Sequence, residues 1–130
     1  MSPAYGVAIA PLDQSVAFGQ TPTTATRITS YGYPAAGKFS GARQYFCDSP
    51  FRRWDTVTLL DPMQISCDMT GGSSGGGWIL DLNGTATGDG SGPLISVNSY
   101  GYSGEKNTMY GPFMKTGSDN QAEQLYTAMK

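Results

Sequence analysis

Apolar positions along this chain recur mostly at every second residue, in short runs closed by glycine or proline, the pattern of β-strands rather than helices. Read this way, strands are expected over residues 5–10, 26–31, 42–47 and 54–60. Four more are expected over 63–67, 77–80, 94–99 and 108–114. Val57 and Leu59 alternate with Thr56 and Thr58, and Pro11, Gly41 and Asp61-Pro62 mark breaks. Residues 81–93, rich in Gly, Asn, Asp and Ser, read as a hairpin loop. The period changes only at the end. Ser118 can cap a helix with Gln121 three residues on, and Ala122, Leu125, Tyr126 and Met129 then share one face. The expectation is a single all-β domain over 1–130, a barrel or sandwich closed by one short C-terminal helix.

At 130 residues the chain suits one domain, enough to bury roughly two thirds of its unfolded surface. Eight basic residues are scattered against ten acidic ones. No basic stripe suggests a nucleic-acid partner or an anionic membrane, and no apolar run has transmembrane length. Residues 7–11 are too short for a secretory leader, so a leader, if the protein is exported, is expected outside this sequence. Asn83-Gly84-Thr85 is both a glycosylation sequon and an Asn-Gly hairpin turn, and the turn is the better reading. Cys47 and Cys67 both lie in strand-like surroundings. An even pair in a lightly charged β chain favours a disulfide, an oxidising compartment and a secreted protein, with two buried thiols as the alternative. The chain has no histidine and no C-x-x-C pair, and Asp81, Asn83 and Asp89 lack the bidentate carboxylate of a calcium loop. Neither a metal nor a cofactor is expected.

The stretch Cys67-Asp68-Met69-Thr70-Gly71-Gly72-Ser73-Ser74-Gly75-Gly76-Gly77-Trp78 carries the chemistry. A flexible linker has a similar composition, but this one joins the alternating residues 63–67 to the apolar 78–80, as a turn between buried strands would. Glycines around a serine let backbone N–H groups crowd a carbonyl substrate, the setting a serine nucleophile needs.

The stretch resembles the nucleophile loop of trypsin- and chymotrypsin-like serine proteases, Gly-Asp-Ser-Gly-Gly-Pro, with Gly72-Ser73-Ser74-Gly75-Gly76-Gly77 in its place. Three further segments match in order and spacing. Val97-Asn98-Ser99-Tyr100-Gly101 looks like the strand that pairs with substrate along one wall of the specificity pocket. Tyr110-Gly111-Pro112-Phe113 is similar to the last strand before the closing helix, and Gly32-Tyr33-Pro34 to a segment of secreted microbial members. The resemblance covers most of residues 26–130 and implies the second, C-terminal β-barrel of such a protease. Upstream, residues 5–9 look like the strand after the catalytic aspartate, whose place holds Pro3 or Ala4. The histidine would lie further upstream.

The resemblance implies a serine endopeptidase acting through an acyl-enzyme on a peptide or protein substrate. Ser74 would be its nucleophile, and the Gly72 and Ser74 N–H groups its oxyanion hole. Asp68 would hold the place of the carboxylate that selects Arg or Lys, with a surface aspartate as the alternative, and Ser99, Tyr100 and Gly101 would bind substrate backbone. Ser73 replaces the usual aspartate, which removes activation by a buried N-terminal ammonium. A serine without a base is a poor nucleophile, and no spacing singles out Lys38, Lys106 or Lys115 for that role. The chain is therefore expected to be inactive alone, with an N-terminal protease barrel or a second copy covering its apolar face. The rival is a catalytically dead binding or structural module on the same scaffold.

Overall fold

The computed structural model describes residues 15–82, 92–116 and 121–129. The expected strand over 5–10, the sequon at Asn83 and the Ser118 cap lie outside them. Seven strands and one helix follow in order: β1 Arg27–Gly32, β2 Tyr45–Pro50, β3 Arg53–Trp54, β4 Met63–Ser66, β5 Gly77–Leu80, β6 Leu94–Val97, β7 Thr108–Gly111 and α1 Gln121–Met129. All strand pairs are antiparallel. One sheet has the order β2-β1-β5-β6 and the other β3-β4-β7. Ser30 sits opposite both Cys47 and Trp78, and Gln64 opposite both Arg53 and Tyr110.

The inward faces of the two sheets supply one core. Ile28, Met63, Ile65 and Trp78 are fully buried, with Ile95, Met109 and Phe51 packed around them. Burying each such side chain contributes about 1.5–3 kcal/mol. Polar groups carried inward find partners. Thr29 Oγ1 donates to Asp48 Oδ2 at 2.9 Å, and Arg27 Nε donates to Asp48 Oδ1 at 2.7 Å.

The sheets curl towards each other as a barrel does, but the hydrogen-bond ladder does not close. At one seam the chain bends at Phe51-Arg52 and passes from β2 into β3, with Arg52 N–H donating to Gln64 O. Pro50, without an N–H, helps to end the first ladder there. At the other seam, among the described residues, an isolated bridge between Tyr100 and Tyr110 and a bond from Ser99 N–H to Tyr110 O link the sheets beyond β6. The expected all-β architecture of antiparallel strands with one short C-terminal helix is present, its barrel left open.

The expected strand over 54–60 shrinks to β3. Asp55 Oδ1 accepts the Val57 N–H at 2.8 Å, an Asx turn that competes with the ladder, and Leu60 and Asp61 then take positive φ values of 77° and 47°. Val57 and Leu59 end up exposed, at 81% and 88%. β2 starts three residues later than expected, after bends at 41–43, and runs on to Pro50. The C-terminal helix forms, yet none of its residues is buried; Tyr126 packs against Phe18 with ring centroids 5.8 Å apart.

Cys47 and Cys67 are joined, Cα to Cα 5.4 Å, tying the end of β4 to β2 across a sequence separation of 20. A loop of that size stabilises by about 3 kcal/mol in the chain-entropy model. Reduction is expected to lower the denaturation midpoint correspondingly. Alkylation followed by intact mass checks the bond, and two reactive thiols in the unreduced protein would refute it.

Candidate active site

The glycine-rich stretch is the turn between β4 and β5, and it is held from both sides. On one side it docks on residues 33–36. Thr70 Oγ1 donates to Ala36 O at 2.7 Å and accepts the Ala36 N–H, while Ala35 N–H donates to Gly71 O at 2.8 Å. Gly72 has φ 99°, and a Cβ there would lie 2.9 Å from the Ala35 methyl, so only glycine fits. At Gly76 a Cβ would fall 1.8 Å from Tyr31 O.

On the other side the turn hangs from Asn98, just past β6 and 2% exposed. Its Nδ2 donates to Ser73 O and Tyr31 O, both at 2.9 Å. Its Oδ1 accepts from Trp78 Nε1 at 2.6 Å and from Ser30 Oγ at 2.5 Å. Its backbone carbonyl accepts the Gly75 N–H, and its N–H donates to Gly76 O, both at 2.8 Å. Every hydrogen-bonding site of this side chain is occupied.

The two serines differ in burial. Ser73 is buried, its hydroxyl donating to Thr70 O at 2.8 Å. Ser74 is exposed. Among the described residues neither its hydroxyl nor its N–H has a partner, and the Gly72 N–H is likewise unpaired. Ser74 borders a cleft of about 440 Å³. Met69, Thr70, Gly71, Ser73 and Ser74 form one wall, Ser99, Tyr100 and Gly101 the other, and Thr108 and Met109 complete the lining. The structure therefore brings Ser74 together with Ser99, Tyr100 and Gly101. Asp68 is not in that lining. Its carboxylate is half exposed and pairs with Lys38 Nζ at 2.6 Å, the surface role, because Met69 rather than Asp68 faces the cleft after the disulfide.

Sequence reasoning also missed what stands behind Tyr100. Its ring stacks on Tyr110 at 5.0 Å, and its hydroxyl donates to Asp55 Oδ2 at 2.5 Å, beside that of Tyr102 at 2.6 Å. Tyr110 Oη in turn donates to Glu105 Oε2 at 2.8 Å and accepts from Gln64 Nε2 at 2.7 Å. The alternation of Tyr100 and Tyr102 was a signal for packing only, since nothing local links them to Asp55. Desolvation raises the Asp55 carboxyl, but hydrogen bonds from Tyr100, Tyr102 and the Val57 and Thr58 amides outweigh it and hold the pKa at about 2. Being depressed below its ordinary 3.8, this group stabilises the fold fully above about pH 4 and loses that contribution as pH falls through about 2. Asp55→Asn is expected to lower Tm at neutral pH, with the gap from wild type closing towards pH 2 in thermal melts.

No family model and no curated protein sequence matches the chain. Among solved structures, two proteases resemble it. The thermostable serine protease AL20, from an extremophilic microorganism, superposes with a TM-score of 0.72 at 34% identity, over 89% of this chain and 47% of that one. The protease Anisep from Arthrobacter nicotinovorans gives 0.66 at 37% identity, over 79% of this chain and 43% of that one. The chain thus spans less than half the length of either protein. With its antiparallel sheets, its glycine turn and its C-terminal helix, the chain has the fold of part of a trypsin/chymotrypsin-like serine protease domain.

Proposed function

We propose that this chain is the nucleophile-bearing portion of a serine endopeptidase, working through an acyl-enzyme. The observation that carries the reading is Ser74, exposed at the rim of a cleft beside two N–H groups without partners among the described residues. The Ser74 hydroxyl attacks the substrate carbonyl, and the Gly72 and Ser74 N–H groups receive the oxyanion. Ser99 and Tyr100 give their N–H groups to Tyr110 O, and the Ser99 carbonyl and both backbone groups of Gly101, without a backbone partner among the described residues, are offered to the peptide.

The base comes from outside these 130 residues, because they contain no histidine. Two lysines already have partners, Lys38 with Asp68 and Lys115 with Asp61 at 3.8 Å. An N-terminal barrel carrying histidine and aspartate would supply the base, and an oxidising, extracellular setting suits the disulfide. The test is labelling with a fluorophosphonate. The chain alone is expected to label negligibly, and mixing with a separately produced N-terminal barrel to bring on labelling at Ser74 together with peptide hydrolysis. Rapid labelling of the unaided chain would mean that another base is present. A docked but inert pair would make this a binding module on a protease scaffold.

A further inference from the structure

From the cleft beside Ser74 we infer that it accepts a neutral, apolar side chain and rejects both cationic and anionic ones. The inference rests on the protease reading for what that side chain belongs to, the residue on the acyl side of the scissile bond. It rests on the lining itself for the charge preference.

None of the residues that line the cleft is charged. Two of its buried members are thioethers, Met69 at 6% and Met109 at 7% exposure, polarizable groups that adapt to apolar or aromatic guests, and the buried Ser73 hydroxyl is spent on Thr70 O. Thr70, Thr108 and Ser99 add hydroxyls, which can hydrogen-bond but cannot neutralise a full charge. Gly71 and Gly101 place no side chain on the facing walls, so an aromatic ring is not excluded by bulk.

The nearby carboxylates are each engaged elsewhere. Asp68 pairs with Lys38 outside the lining. Asp55 takes the hydroxyls of Tyr100 and Tyr102 and the Val57 N–H. Glu105 comes nearest, accepting from Thr108 Oγ1 at 3.2 Å, but it also accepts from Tyr110 Oη and is paired with Arg53 at 3.2 Å. A guanidinium entering the cleft would shed water and meet no free counter-charge, and a carboxylate would fare no better.

The test uses three ligands of one shape and three charges: benzamide, benzamidine and benzoate. Each is titrated into the isotope-labelled 130-residue chain while the backbone amides of Gly71, Ser99 and Gly101 are followed by NMR. Benzamide is expected to shift these amides, with benzamidine and benzoate at least about tenfold weaker, since each charged ligand must desolvate unpaired. Tighter binding of benzamidine or of benzoate would overturn the inference, and so would a cleft that no member of the series perturbs. The titration requires no reactive serine. It therefore stands apart from the acyl-transfer reading, which labelling at Ser74 decides.

Discussion

Ser74→Ala is expected to lower peptide turnover of the chain, once supplied with its base-bearing partner, by about a million-fold, and to abolish fluorophosphonate labelling. Removing a nucleophile disables the unit it forms with the base, and what remains over water comes from the oxyanion donors and from binding. The same substitution is expected to leave stability within about 0.5 kcal/mol. Ser74 is exposed, and its hydroxyl has no partner among the described residues, so truncation removes no contact that folding uses. Its neighbour provides the control. Ser73 is buried and donates to Thr70 O, so Ser73→Ala should cost about 1 kcal/mol and disturb the turn without removing a nucleophile. Thermal melts of both variants beside their labelling rates would separate the two roles. Equal labelling loss in both, with equal melts, would contradict the assignment of Ser74.

Asn98→Leu is expected to be the most damaging single change for the fold, destabilising by about 3 kcal/mol or more and lowering Tm by roughly 10 °C. Leucine fills similar space but leaves the buried Trp78 N–H and Ser30 hydroxyl without their acceptor. It also removes the donor to Ser73 O and Tyr31 O. Each stranded group costs its desolvation, about 1–3 kcal/mol. The effect should also reach Ser74. At temperatures where the variant is still folded, its labelling in the complemented protein should fall, because Ser73 O is the turn's anchor. Full labelling with a lowered Tm would show that Asn98 serves the core alone.

The strands that sequence made legible are those whose apolar residues are the buried ones. In β4 and β5 the apolar residues Met63, Ile65, Trp78 and Ile79 are buried as the pattern requires, and both strands fall within a residue of their expected limits. Residues 54–60 alternate equally well and mislead, because Asp55 draws the chain into a turn through its own side chain and leaves Val57 and Leu59 in solvent. Ser74 was legible because glycines crowd a short span on either side of it. Asn98 was not. Its partners are residues 30, 31, 73 and 78, gathered from separate strands, and in sequence it is one polar residue after an apolar run. For Asp68 the sequence left two readings open, and the structure has it in the surface one, paired with Lys38 while Met69 lines the cleft.

With four side-chain hydrogen bonds and two from its backbone, Asn98 joins the Ser74 turn to the strand that forms the opposite wall. The two walls are in this sense a single rigid jaw. On the proposed reading, the entropy of setting the distance between Ser74 and the facing wall is lost when the chain folds rather than when a guest binds. Such a jaw should favour guests by shape and charge rather than by moulding itself to them.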